Sequence, residues 1–423
     1  MNQLAQFLQY AQKVFDLKRL LGGVRDRRPS PDIPTLPVLL CLLLGVVLRI
    51  SSYLDLATQT QRRRWQHFCG LKRALGDDIF AYVTERFFLE DLRQVLAWIV
   101  KTLKRNKALE SCKINGLLFL SLDANEHFKS RCRCCSRCCQ RQVKETDAQG
   151  HVHEVTEYYH RYVYAQINGP KINVLLDLEP IGPGEEECAA ALRLLGRVRR
   201  VYGPRFFDAI TVDSWYVRGP FLRAVDKLGW GWIVVFKQEK MEAYQEAMQL
   251  SRGQKPLLAF EDQERERQVQ LWQINDLHFS DQYSQPVSVV RSEERWTETR
   301  IEGGKKVQQP QQSQWLWVVH AQLGACYGAR VVYQGGHRRW GIENKAFNEL
   351  TQAYHLEHCY HHEPGSMLAQ MLILMIGFML FTAFAQLHNQ LVRLGQLTLK
   401  ALAHNLDLAL EEDLPWNQWF HSG

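Results

Sequence analysis

The sequence predicts an α/β fold preceded by an all-helical N-terminal domain, on three observations. Up to about residue 110 the apolar residues recur at helical spacing, as in FLEDLRQVLAWIVKTL, and strand patterns are scarce. After that point the texture changes to short β-rich runs separated by turn residues and helices. The 423 residues also exceed what one ordinary core holds, so additions to a main domain are expected.

Within residues 1–110, QRRRWQHFCGLKRALGDDIFAYVTERF reads as a basic helix, a turn around Gly76 and a second helix that Asp77 or Asp78 caps. Helix-turn-helix DNA readers share that arrangement with ordinary helix pairs, so both readings stand. Residues 111–237 open with GLLFLSLD, a strand ending at Asp123, followed by the strands YYHRYVYAQI and NVLLDLEPI. Next comes EEECAAALRLLGRVRRVY, whose acidic start and basic end suit a helix dipole. FFDAITVD is a strand ending at Asp213, GPFLRAVDKLGW a short helix and WIVVFK a further strand. Three strands, helix, strand, helix, strand is the order of an RNase H-like mixed sheet with flanking helices. Residues 238–334 are polar and β-prone, with QVQLWQIND, PVSVVRSEE and SQWLWVVHAQ as strands, and read as a β-rich insertion subdomain. Residues 335–423 return to the core: HRRWGIENKAFNELTQAY reads as a helix, and C-terminal helices follow.

The formal charge is +7, and arginines fall in clumps: Arg62, Arg63 and Arg64; Arg197, Arg199 and Arg200; Arg338 and Arg339. Clumping suits phosphate backbones and equally suits a well-solvated basic surface. The start, MNQLAQFLQYAQKVFDLKRL, lacks the basic head, apolar stretch and cleavage site of a secretory signal, and the cysteines are dispersed except for one cluster. A cytoplasmic, nucleoid-associated location is therefore expected. The run from Met367 to Leu387 is apolar for long enough to cross a bilayer, which keeps a membrane-associated protein in view. Gln370 within it and the lack of a partner span favour a helix buried in a core, with no membrane.

Asp123 and Asp213 each sit where the edge of an α/β sheet presents ligands. On a helix from Arg338, Glu343 shares a face with Trp340, Phe347, Leu350 and Tyr354, and a carboxylate on such an apolar stripe needs a positive partner. A metal shared with the two aspartates would supply one. Three carboxylates give hard oxygen ligands for Mg2+ or Mn2+, and two ions suffice for phosphodiester hydrolysis and strand transfer. Each residue has a plainer role as turn former or first-turn acid; the joint placement carries the functional reading.

The segments SLDANEHF, AITVDSWYVRGPF and HRRWGIENKAFNEL resemble the three signature segments of the DDE transposases of bacterial insertion sequences, in the group with a β-rich insertion before the glutamate. The resemblance spans roughly residues 110 to 390. It implies that Asp123, Asp213 and Glu343 are the catalytic and metal-binding triad and that Arg339 lies near bound DNA. It also implies DNA partners, terminal inverted repeats and target, and a homodimer in the paired-end complex. Arg338, Lys345, Arg62, Arg63 and Arg64 are further candidate DNA contacts. Where many relatives carry a tyrosine and a lysine this chain has Gly336 and Leu350, with Tyr333 and Lys345 as neighbouring substitutes. A domesticated or catalytically inactive DNA-binding protein of the same fold is the alternative.

In RCRCCSRCC the spacing of Cys132, Cys135 and Cys138 lets two thiolates reach one structural Zn2+, with Cys112, His151, His153 and His160 nearby as completing ligands; the other reading is a basic loop of reduced thiols. HLEHCYHHE, from His355 to Glu363, lacks regular ligand spacing and reads as a polar connection. There is no P-loop and no recognisable nucleophile motif for a cysteine or serine.

Overall fold

The computed structural model describes residues 2–147, 149–302 and 305–410, apart from the side chains at 302, 305, 325–327 and 343–345. Seven helices occupy the N-terminal part: α1 (Gln3–Phe15), α2 (Leu17–Gly22), α3 (Thr35–Val47), α4 (Tyr53–Thr60), α5 (Arg63–Cys69), α6 (Asp77–Thr84) and α7 (Leu89–Arg105). In α7 the stripe Leu92, Val95, Leu96, Ile99, Val100 and Leu103 is buried, as its spacing predicts.

The strands β1 (Phe119–Ser130), β2 (Cys139–Thr146), β3 (Val152–Ile167) and β4 (Val174–Ile181) follow, then α8 (Glu187–Tyr202), β5 (Ala209–Val212), α9 (Gly219–Lys227) and β6 (Gly231–Val235). β4 pairs with β3 and β3 with β1, all antiparallel, while β1, β5 and β6 run parallel. The parallel pairing puts Ser121 beside Thr211. Strand β1 does not end at Asp123 as expected. It continues to Ser130 because the sixteen-residue β3 offers a partner along its whole length, with Asp123 opposite Tyr164. The cysteine-rich segment likewise leads into a strand, β2, paired with the outer part of β3.

After α10 (Glu242–Arg252) come β7 (Leu258–Asp262), β8 (Arg267–Leu277), β9 (Val287–Glu302) and β10 (Lys305–His320). They do not build a separate sheet. β10 pairs antiparallel with β6, so among the described residues all ten strands belong to one sheet. Helix α11 (Ala321–Arg338) then begins inside the stretch read as β-rich and is broken at Gly328, whose φ is 72°. A π-helical turn, Ile342–Phe347, separates it from α12 (Asn348–Tyr354). The single regular helix expected from Arg338 is therefore interrupted, and the stripe through Trp340 and Glu343 shifts in phase.

Helix α13 (Pro364–Ala383) is the apolar run. The spanning-length window is entirely buried, in contact with α3, α6, α7 and β4. Its polar residues have partners inside: Gln370 Oε1 accepts from the Tyr53 hydroxyl at 3.2 Å, and Ser366 Oγ lies 2.6 Å from Thr84 Oγ1. Gly377 makes the α3 crossing close, since a Cβ there would sit 2.5 Å from Val46. The N-terminal helices and α13 thus share one core with the sheet rather than forming a detached unit. The short α14 (Gln390–Arg393) and α15 (Leu399–Leu410) end the described chain, α15 against α1.

Candidate active site

Asp213 directly follows β5, an entirely buried AITV strand, and caps the short turn Ser214–Tyr216 by accepting from Trp215 N at 2.9 Å. Two residues past the paired Ser121 and Thr211 come Asp123, still on β1, and Asp213, just after the end of β5. The hydroxyls of Ser121 and Thr211, each two residues before one of the aspartates, are 2.9 Å apart.

Asp123 Oδ2 lies 3.2 Å from Arg339 Nη1, and both side chains are largely buried. Arg339 therefore faces the carboxylate rather than open solvent. Its position is set from the sheet side: Asn168 Nδ2 donates to Ser121 Oγ at 2.9 Å and to the Arg338 carbonyl at 3.0 Å, tying the turn after α11 to β1. Gly341 packs against Asn168, and the π-helical turn packs on β1. Glu343 and Lys345 belong to that turn, but their side chains lie outside the described residues.

Sequence reasoning missed a buried carboxylate whose charge is felt together with that of Asp213. Glu187, in the first turn of α8, is buried and accepts from Arg161 Nη2 at 2.6 Å. Burial pushes its carboxyl above the usual range; the Tyr216 hydroxyl and Arg161 pull it down, and nearby Asp213 pushes it up again. The Tyr216 hydroxyl is itself held well above its ordinary value, first by burial and then by Glu187, with Asp123 adding to the effect. The acidic start EEEC, read as complementing a helix dipole, was the available signal.

The remaining basic candidates are dispersed. Arg62 and Arg63 are exposed and Arg64 half-buried at the start of α5, which packs on α3 and α4. Following them, the connection exposes Lys72 and Arg73 and α6 exposes Asp77 and Asp78 at its N-terminus. Arg338 Nη1 donates to the Cys112 carbonyl at 3.3 Å. Arg197, in the second clump, is committed to Asp177 and Glu179 at 2.5 and 2.6 Å. Tyr333 is buried, accepting from Arg265 and donating to Asp262, both at 2.8 Å, so it cannot serve as the absent tyrosine on an open surface. Trp215, by contrast, is 57% exposed beside Asp213, with the Arg218 guanidinium 5.4 Å from its ring.

The thiols divide. Cys132 is exposed and stays apart, whereas Cys135 and Cys138 converge with His160 and His362. His151 and His153 are exposed elsewhere, and Cys112 is buried against Ile172. His362 comes from the segment read as a mere polar connection, which is corrected here: that segment also anchors itself through His361 on Glu85 at 2.8 Å and Tyr360 on the Ile50 carbonyl at 3.1 Å.

No family profile matches the chain, and no curated protein matches it. Among solved structures the chain is similar to a cryo-EM structure of the piggyBac transposase synaptic complex with hairpin DNA, with a TM-score of 0.44 and 12% sequence identity over 97% of this chain and 80% of that one.

Proposed function

We propose that the chain is a DDE-type DNA transposase of a bacterial insertion sequence, with an RNase H-like core, that cuts and joins phosphodiester bonds using Asp123, Asp213 and Glu343. One observation carries the reading: the parallel pairing of β1 with β5 sets Ser121 opposite Thr211, two residues before Asp123 on β1 and two before Asp213, which follows the end of β5. The strand order β4-β3-β1-β5-β6, antiparallel for three strands and parallel thereafter, supports the RNase H-like core.

The donor set fits a hard divalent cation. Asp123 and Asp213 offer carboxylate oxygens, the hard ligands that such a cation takes. Asp123 and Asp213, with Glu343 from the π-helical turn, would hold Mg2+ or Mn2+, which when bound supplies activation of the attacking oxygen and stabilisation of the leaving one. The chain's own residues do the positioning. Arg339 offsets the charge on Asp123, and Asn168 fixes the turn that carries Arg339 and Glu343. Exposed Trp215 offers a face on which an unpaired base can stack.

The test is nicking and strand transfer on DNA carrying the element's terminal inverted repeats, with Mg2+ or Mn2+. Asp123→Asn, Asp213→Asn and Glu343→Gln should each abolish product while leaving the circular dichroism spectrum unchanged. Full activity in Glu343→Gln would remove the glutamate from the triad, and activity in all three variants would end the reading.

A further inference from the structure

We infer that Cys135, Cys138, His160 and His362 form a structural zinc site that staples the outer end of the β1–β2–β3 ribbon to the segment between α12 and α13. The inference does not depend on the proposed catalysis.

The geometry is that of ligands around one ion. Tetrahedral zinc with Zn–S near 2.3 Å and Zn–N near 2.0–2.1 Å requires edges of about 3.8 Å for S···S, 3.6 Å for S···N and 3.3 Å for N···N. The Cys135 and Cys138 sulfurs are 3.7 Å apart. His160 Nε2 lies 3.5 Å from Cys135 Sγ and 3.3 Å from Cys138 Sγ, and His362 Nε2 lies 3.3 Å from Cys138 Sγ. The two imidazole nitrogens are 3.3 Å apart. All four ligand atoms fall within 4.8 Å of one another, so they face one small common space.

Hydrogen bonding alone does not account for this. An imidazole Nε2 has one in-plane proton or lone pair, yet His160 Nε2 faces three heteroatoms at once. One central cation satisfies all of these directions together. The turn is also built for thiolates: Cys138 N donates to the Cys135 carbonyl at 3.1 Å, closing the loop, and Cys135 N donates to Cys138 Sγ at 3.3 Å. Amide donation to sulfur stabilises the deprotonated form that binds metal. Two thiolates and two imidazoles favour zinc over the hard cations suited to carboxylates.

The connectivity gives the site a purpose. His362 is distant in sequence from the other three ligands, and its ring packs on Phe128 of β1 with centroids 4.3 Å apart. A second tie runs beside it: His127 is held between the Tyr164 hydroxyl at 2.8 Å and the Leu356 carbonyl at 3.1 Å. The ion would therefore lock the segment after α12, and with it the helical turn carrying Glu343, against β1.

The full-length protein, purified without chelators from zinc-supplemented cells, should carry close to one zinc per chain by elemental analysis. Cys138→Ser and His362→Ala should each lower that content at least about tenfold, whereas Cys132→Ser should leave it intact. His362→Cys, which keeps a ligand, should retain the metal, and cobalt substitution should give the visible bands of a tetrahedral thiolate site. Less than about half an equivalent in the folded wild-type protein overturns the inference without recourse to any variant. So does zinc that is lost with Cys132→Ser but kept with His362→Ala.

Discussion

Arg339 Nη1 and Asp123 Oδ2 stand 3.2 Å apart in surroundings that leave both side chains nearly inaccessible. A buried carboxylate that loses its cationic partner retains its desolvation cost, so removing either member does more than delete one contact. Arg339→Ala should lower unfolding free energy by roughly 1–3 kcal/mol. Arg339→Lys should restore only part of this, since lysine keeps the charge without the planar fork. Chemical denaturation reads both, and an Arg339→Ala midpoint equal to that of wild type would mean the pair contributes nothing.

At Gly336 an added Cβ would lie 2.3 Å from Trp317 Nε1 and 2.7 Å from two other atoms of the same ring. Trp317 is fully buried, so the indole cannot swing into solvent to make room. Gly336→Ala should therefore destabilise by about 1–3 kcal/mol, and Gly336→Tyr should not fold at growth temperature. A neutral Gly336→Ala in thermal melts would show that α11 packs further from the sheet.

Glu294 on β9 is fully buried and lies between His337 of α11 at 2.7 Å and the guanidinium groups of Arg265 and Arg267 at 3.0 and 2.6 Å. Burial alone would raise its carboxyl, but His337, Arg265 and Arg267 outweigh that and bring it down to about 2. A folded value below the unfolded one means that the stabilisation is complete above the ordinary carboxylate range and fades as pH falls from about 4.5 towards 2. His337, lowered by burial, loses stability in the same direction as the unfolded chain protonates below its ordinary value. Glu294→Gln should flatten the dependence of unfolding free energy on pH between about 4.5 and 2, removing roughly 2 kcal/mol of it. An unchanged slope in urea titrations across that window would show that other carboxylates set it.

Legibility in the sequence followed the range of the interactions involved. The β5 strand and Asp213 were readable because AITV is an unbroken apolar run with one acid behind it, a local pattern. The outer half of β1 was not, since residues 124–130 show no apolar alternation and are held against β3, with a bulge at Phe128, by partners about thirty to forty positions later. Helix α11 lay partly inside the stretch read as β-rich, and its Gly335 and Gly336 serve close packing on Ile233, Phe119 and Trp317. The paired Cys135 and Cys138 were visible from their spacing. His362 was not, because its partner His160 lies 202 positions away and no spacing rule reaches that far. Glu187 was hidden for a different reason: an acid in a first helical turn already has a sufficient local explanation.

Trp215 is the one large aromatic left 57% exposed within two residues of Asp213, and nothing in the core requires it. An exposed indole costs hydration, and a guanidinium 5.4 Å from its ring extends the same surface with positive charge. Under the proposed function this pair would hold an unstacked base and its phosphate beside the carboxylates. Trp215→Ala should then weaken binding to a nicked or single-stranded transposon end by about 1–3 kcal/mol, while thermal stability stays within about 0.5 kcal/mol of wild type. Fluorescence titration measures the first and calorimetry the second. Equal affinity in Trp215→Ala and wild type would leave the indole without a part in DNA binding, whereas a large drop in melting temperature would make it a structural residue despite its exposure.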